Sequence, residues 1–250
     1  MNIDINSDLG ESFGDWTMGD DLALLQLVSS ANIACGFHAG DPRVMLRTVE
    51  ACAAAGVAVG AHPGFPDLAG FGRRKMTMTP FEIRTDVMYQ IGALQAMCKS
   101  VGVPLNHVKP HGAMQNMMAT DYEMSVALID AIAATMDSPL VYAQPGSATE
   151  KAAEDAGMPM ARELFADRAY LADGQLAPRS MAGAVLHDSD AIADRMLKML
   201  RGDAIETIDG ESIVLQGDTI CVHGDTPAAV EIAQSLRKSL ISAGFAISPV

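Results

Sequence analysis

Short apolar runs that end in a polar residue, with a glycine or proline turn close behind, recur along the whole chain. Ile3–Glu11, Asn32–Asp41, Val57–Gly64, His107–Gly112, Glu163–Arg168 and Ile220–Asp225 all have this form. Strands that are apolar along their length suit a parallel sheet covered on both faces. Such sheets carry their chemistry in loops beyond the strands' carboxyl ends. Repeated polar endings therefore predict one site fed by many strands.

Helix signals lie between the runs. Asp41-Pro42 places an N-cap before proline at the first helical position, opening a helix that stops at Gly56. Thr79-Pro80-Phe81-Glu82 is a capping box for a helix ending near Gly102. Thr120-Asp121-Tyr122-Glu123 and Ser147-Ala148-Thr149-Glu150 are two more, and Asp188 or Ser189 opens a helix to Gly202. Thr226-Pro227 starts the last, which stops at Gly244. Strands are expected near residues 2–6, 31–36, 57–61, 105–109, 139–143, 159–165 and 219–223. Seven strands alternating with helices give a (β/α) barrel or a doubly wound sheet. The spread of polar endings favours the barrel, because a doubly wound sheet gathers its chemistry at one switch point. A chain of 250 residues fits one barrel domain over residues 1–250. Ile205–Ile208 and Ser212–Leu215 around Asp209-Gly210 predict a β-hairpin insertion with a type I′ turn.

Composition narrows the partners. The net charge is −14, from 31 acidic and 17 basic residues, which argues against nucleic acid and anionic membrane. Cys35, Cys52, Cys98 and Cys221 show no CxxC spacing and read as buried thiols in a reducing cytosol. No apolar stretch reaches the ~18 residues of a spanning helix. Asp4 and Asp8 stand where a signal peptide needs apolar residues, so the expected location is cytoplasmic.

Asp8 and Glu11 flank Gly10 and can divide acid and base roles, or serve as a turn aspartate and a capping glutamate. His38, His62, His111 and His223 are four of the six histidines, all in strand-end positions. They suit acid–base work or metal ligation with Asp8, the candidate metal set being Asp8, His38 and His62. No HExxH motif is present, and spacing alone does not choose between these uses. Lys109 ends a strand, and a buried lysine must be paired, here with Glu163 or Asp167, or used. Asp225 adds another strand-end carboxylate. Arg73-Arg74 behind Gly70-Phe71-Gly72 can close on a carboxylate or phosphate, or lie solvated; Arg168 is a further cation for an anionic substrate. No Walker A, GxGxxG or GxSxG sequence is present.

These same stretches resemble the LamB/YcsF family. The matching motifs run from Asn6-Ser7-Asp8-Leu9-Gly10-Glu11 through Ser30–Pro42, Gly60–Asp67, Gly70–Arg74, Val108–Ala113 and Glu163–Tyr170 to Cys221–Asp225. The resemblance implies a distorted seven-stranded (β/α) barrel of the glycoside hydrolase/deacetylase type. It implies cleavage of 5-oxoproline to L-glutamate coupled to ATP hydrolysis, in complex with two further subunits of B and C type. With no P-loop here, ATP is expected on a partner subunit, and a divalent metal is an open requirement. Met114-Gln115-Asn116 stands where the family usually has Leu-Tyr-Asn, so Gln115 bears on substrate preference. The competing readings are a stand-alone metal-dependent amidohydrolase or deacetylase, and a non-catalytic lactam-binding subunit.

Overall fold

The elements run β1 (Asn2–Leu9), α1 (Asp21–Leu24), β2 (Ser30–Ala34), α2 (Pro42–Ala55), β3 (Ala58–His62), α3 (Pro80–Val101), β4 (Leu105–Val108), α4 (Gly112–Met118) and α5 (Tyr122–Thr135). They continue as β5 (Val141–Ala143), α6 (Ala148–Ala156), β6 (Met160–Phe165), α7 (Ser189–Arg201), β7 (Ile205–Glu206), β8 (Ser212–Ile213), β9 (Thr219–Val222), α8 (Ala229–Ser242) and β10 (Ala246–Ile247). This computed structural model describes residues 1–226 and 228–250. The sheet order is β1-β2-β3-β4-β5-β6-β9, all parallel, and β9 pairs back with β1 to close a seven-stranded barrel. β10 adds a short parallel edge beside the start of β1.

Alternation along β1 explains the two layers. Ile3, Ile5 and Leu9 join the apolar core that fills the space between barrel and helices. Asp4, Asn6 and Asp8 face the barrel interior, where they meet side chains from other strands. The Asp4 carboxylate accepts from Ser29, Ser30, Tyr142 and Thr219 hydroxyls at 2.6, 2.8, 2.9 and 2.6 Å. Asn6 and Asn32 continue the ladder upward: Asn32 Nδ2 donates to Asn6 Oδ1 at 2.7 Å and to Asp8 Oδ1 at 2.9 Å. The His107 ring stacks on Tyr142 with centroids 4.0 Å apart, and its Nε2 donates to Asn32 Oδ1 at 2.7 Å. The interior is thus a satisfied polar stack, where many barrels use branched apolar layers.

The helix starts at Asp41 and Thr79 form as expected. Asp41 Oδ1 accepts from Arg43 and Val44 backbone N–H groups, and Thr79 and Glu82 complete a reciprocal capping box. Elsewhere the caps differ. Asp121, not Thr120, caps α5, because Thr120 Oγ1 donates to the Met117 carbonyl instead. Ser147 caps α6, but Glu150 accepts from Gly146 and pairs with Arg162, so the box is incomplete. Asp188 caps α7. Thr226 caps nothing: its hydroxyl donates to Asp167 at 2.9 Å, and α8 opens at Ala229. Pro227 lies outside the described residues.

The hairpin is present but shorter than expected, with two-residue strands. Its turn is not type I′, which needs left-handed backbone at both central residues. Gly210 is left-handed (φ 83°), but among the described residues Phe71 is the sole non-glycine with positive φ. Gly210 N–H donates to the Thr207 carbonyl, and Thr207 Oγ1 takes the Glu211 N–H at 3.0 Å. That threonine side chain converts the turn into a longer loop.

Candidate active site

The carboxyl ends of the strands bring the polar endings to one mouth. Asp8 is on β1, Glu11 follows it, His38 lies beyond β2, and His62 ends β3. Lys109 and His111 follow β4, Glu163 is on β6, Asp167 lies beyond it, and His223 follows β9. A cleft of ≈ 480 Å³ opens above them, lined in part by Asp8, Arg73, His111, Gln115, Arg179 and His223.

Lys109 is the buried centre of the mouth, at 1 % exposure. Its Nζ donates to Asp8 Oδ1 at 2.7 Å and Cys221 Sγ at 3.0 Å, and lies 3.2 Å from Glu163 Oε1. Burial disfavours the ammonium, but Asp8, Cys221 and Glu163 outweigh it and hold the lysine charged, well above its ordinary range. Burial likewise pushes the Asp8 carboxyl up, and His62 and Lys109 more than reverse this, holding it well below the usual carboxylate range. Glu163 is raised by burial, only partly offset by Lys109.

A second group sits beside Asp8. His62 Nδ1 lies 2.7 Å from the Lys109 carbonyl and His111 Nε2 lies 2.8 Å from the Phe71 carbonyl. Carbonyls only accept, so each of these two nitrogens carries a proton. The opposite nitrogens, His62 Nε2 and His111 Nδ1, then face each other at 2.9 Å. Phe71 delivers its carbonyl from a left-handed conformation (φ 53°), a strained one for a bulky residue. The His38 ring stacks on His111 with centroids 3.7 Å apart. Glu11 Oε1 lies 3.5 Å from both His38 Nε2 and His111 Nδ1. Burial, with Asp8 and Asp225 adding repulsion, raises the Glu11 carboxyl well above its ordinary range. Burial holds His38 and His111 well below the usual imidazole range.

A third pair closes the rim. His223 Nδ1 is 2.7 Å from Asp167 Oδ1, while Thr226 Oγ1 holds Oδ2. Burial pushes Asp167 up, but His223 and Thr226 bring it down to about 2. The aspartate fixes the imidazole at Nδ1 and leaves Nε2 toward the cleft, the arrangement of an oriented acid–base group.

Residues 3–250 match the LamB/YcsF family model. The chain belongs to the LamB/YcsF family. It is 49% identical over 247 residues to the 5-oxoprolinase A subunit of Syntrophobacter fumaroxidans, covering 99% of this chain and 98% of that one. It is likewise 49% identical over 251 residues to the Thermococcus onnurineus protein of the same name, covering 100% and 98%. The crystal structure of a lactam utilization protein from Thermus thermophilus superposes with a TM-score of 0.94 at 45% identity, covering all of both chains.

Within this LamB/YcsF barrel the residues singled out in sequence fall into distinct places. Asp8, Glu11, His38, His62, Lys109, His111, Glu163, Asp167 and His223 converge at the mouth. Lys109 pairs with Asp8 and Glu163, and Asp167 serves His223 instead. Asp225 sits at the rim between Arg73, 2.6 Å away, and Arg179, 4.0 Å away. Arg74 does not join the cleft: its side chain is 69% exposed and its guanidinium is bound to Asp67. Arg168 lines the cleft wall, but its guanidinium donates to the Ala177 and Ala184 carbonyls and braces the loop after β6. Of the metal candidates, His38 and His62 belong to the imidazole group. Asp8 is engaged by Lys109 and Asn32, and Glu11 and His111 complete that group instead. Gln115 donates to Glu163 Oε2 at 3.0 Å, so it holds the carboxylate opposite Lys109.

Sequence reasoning missed Arg179, Asn32 and the interior ladder. Arg179 lies in the long loop between β6 and α7, away from any strand end or helix cap, so only the folded chain brings it to Asp225. Asn32 and Asn6 were legible as polar residues inside otherwise apolar strands, which is a signal for an inward-facing network. The four cysteines are buried free thiols, with Cys35 one residue past β2. Among the described residues no helix is long and apolar enough to cross a membrane.

Proposed function

We propose that this chain is the lactam-opening A-type component of an ATP-dependent 5-oxoprolinase, converting 5-oxoproline and water to L-glutamate with partner subunits of B and C type. The observation that carries the reading is a buried ammonium between two carboxylates, under a cleft rimmed by an Asp–His pair and two arginines. It occurs in a chain matched end to end by relatives that bear that component's name.

A five-membered lactam is an unactivated amide, so hydrolysis needs an activated carbonyl. Phosphorylation of the lactam oxygen by ATP supplies that. With no phosphate-binding P-loop in this chain, the nucleotide is assigned to a partner subunit. Lys109 stands as a fixed positive charge where negative charge develops on the oxygen, in a site largely closed to water. Asp8, held ionised, orients that ammonium and faces His62 Nε2 at 3.4 Å. His223, oriented by Asp167, moves the proton between water and the leaving ring nitrogen. Arg73 and Arg179 at the rim suit the substrate carboxylate.

The test is glutamate release from 5-oxoproline. Release is expected with ATP and all three subunits, and none when this chain is left out. Release by this chain alone without ATP would favour a stand-alone amidohydrolase. Full activity of the partners without it would overturn the assignment.

A further inference from the structure

We infer that Glu11, His38, His62 and His111 form a binding site for one divalent transition-metal ion of the Zn²⁺ class, set below the cleft floor beside Asp8. One donor atom from each of the four lies within 4.8 Å of all the others, and all four residues are buried.

Three observations support the ion. The first is tautomer geometry. His62 Nδ1 and His111 Nε2 each donate to a backbone carbonyl, which aims the remaining nitrogen lone pairs into the same space. A metal-bound histidine is held in this way by a carbonyl or carboxylate behind it. The second is the set of groups left unserved. A single proton shared between His62 Nε2 and His111 Nδ1 would satisfy their 2.9 Å contact. It would leave buried Glu11 Oε1 and both nitrogens of His38 without hydrogen-bond partners, as they stand here. A cation serves Glu11, His38 Nε2 and both facing nitrogens at once, and of the stranded atoms it leaves only His38 Nδ1 unserved. The third is spacing. A tetrahedral ion with bonds of about 2.0–2.1 Å separates its ligands by roughly 3.3 Å. Three of the six ligand separations are 2.9, 3.5 and 3.5 Å, and the others lie within 4.8 Å.

The donor set narrows the ion. Three imidazoles and one carboxylate suit Zn²⁺, Co²⁺, Ni²⁺ or Fe²⁺, and poorly suit Mg²⁺ or Ca²⁺, which prefer oxygen. The neighbouring trio of Asp8, Cys221 and His223 is also close enough to ligate. There the Lys109 ammonium already contacts Asp8 and Cys221, so the positive charge is in place. The structure thus separates a metal position from a lysine position on two sides of Asp8.

The test is binding, read independently of glutamate formation. Purified protein is stripped with chelator and titrated with Co²⁺ as a spectroscopic probe. The expected result is one ion per chain, with the visible absorption of a four- or five-coordinate ion and no thiolate charge-transfer band. Zn²⁺ should displace it and raise Tm. Glu11→Gln and His111→Gln should each weaken Co²⁺ binding beyond the ~10–100-fold typical of losing a group behind a ligand. Cys221→Ala should leave the spectrum unchanged. Circular dichroism checks that each variant folds, and the wild-type titration decides the matter even where one does not. Failure of the wild type to take up stoichiometric ion would overturn the site. So would a thiolate band, or unaltered binding by a folded Glu11→Gln/His111→Gln double variant.

Discussion

At the scale of single residues, the mouth holds some charges in fixed pairs and leaves others at the cleft. Asp167 is held. Its folded value of about 2 lies below its ordinary 3.8, so its stabilising contribution is complete above pH 4 and is lost as pH falls from there toward 2. The magnitude is about 2 kcal/mol. Urea melts of Asp167→Asn should therefore show lower stability than wild type at pH 6 and a gap that narrows toward pH 2. A constant gap would mean that the pair with His223 adds no ionic stabilisation. The two neighbouring arginines divide differently. Arg73 borders the cleft and Arg74 is taken by Asp67. Arg73→Ala should raise KM for 5-oxoproline in the assembled enzyme, and Arg74→Ala should leave KM unchanged. The reverse pattern would relocate the carboxylate site.

Elements position these residues through close approach. Gly60 on β3 packs against the His107 ring, and a Cβ there would lie 2.1 Å from Nε2. Gly60→Ala should displace His107 from Asn32 and Tyr142 and lower unfolding stability by at least ~1–3 kcal/mol, the usual cost of overpacking. A neutral outcome in chemical denaturation would show that the interior stack yields easily. The same element shows what was legible beforehand. Val57–Gly64 announced a strand, a polar end and a turn, so the barrel and the position of His62 could be read from sequence. The contact of Gly60 with His107 joins β3 to β4 and has no local signature. The caps at Asp41, Thr79 and Asp188 were legible because capping is decided within four residues. Thr226 misled because its hydroxyl found a partner, Asp167, 59 residues away in sequence. Arg74 misled for a related reason: adjacency to Arg73 says nothing about which guanidinium meets Asp67.

For the whole molecule, the closed barrel turns a series of strand ends into one electrostatic unit, and burial sets its pH limits. His107 is held down to about 3 from an ordinary 6.5 by burial, with Lys109 adding repulsion, and burial lowers His38 and His111 as well. At these three rings the unfolded chain binds more protons than the folded one below pH 6.5, outnumbering the raised carboxyls of Glu11 and Glu163, which act the other way. The imidazole contribution to stability is full above pH 6.5 and is lost as pH drops toward 3. Thermal melts across this window should show Tm falling steadily with acidity. A flat Tm between pH 6.5 and 5 would contradict neutral, buried imidazoles.

The central claim is that ring opening occurs at this mouth, around Asp8 and Lys109. The most direct measurement is glutamate formation from 5-oxoproline and ATP by the proposed assembled enzyme carrying Asp8→Asn or Lys109→Met, near-isosteric changes that remove a charge. Folding and assembly are checked by circular dichroism and gel filtration. Each variant should assemble and lose at least ~10²-fold in rate, the scale of one acid–base or electrostatic group. Near-normal rates from both folded, assembled variants would place the chemistry elsewhere and leave this chain to hold the lactam rather than open it.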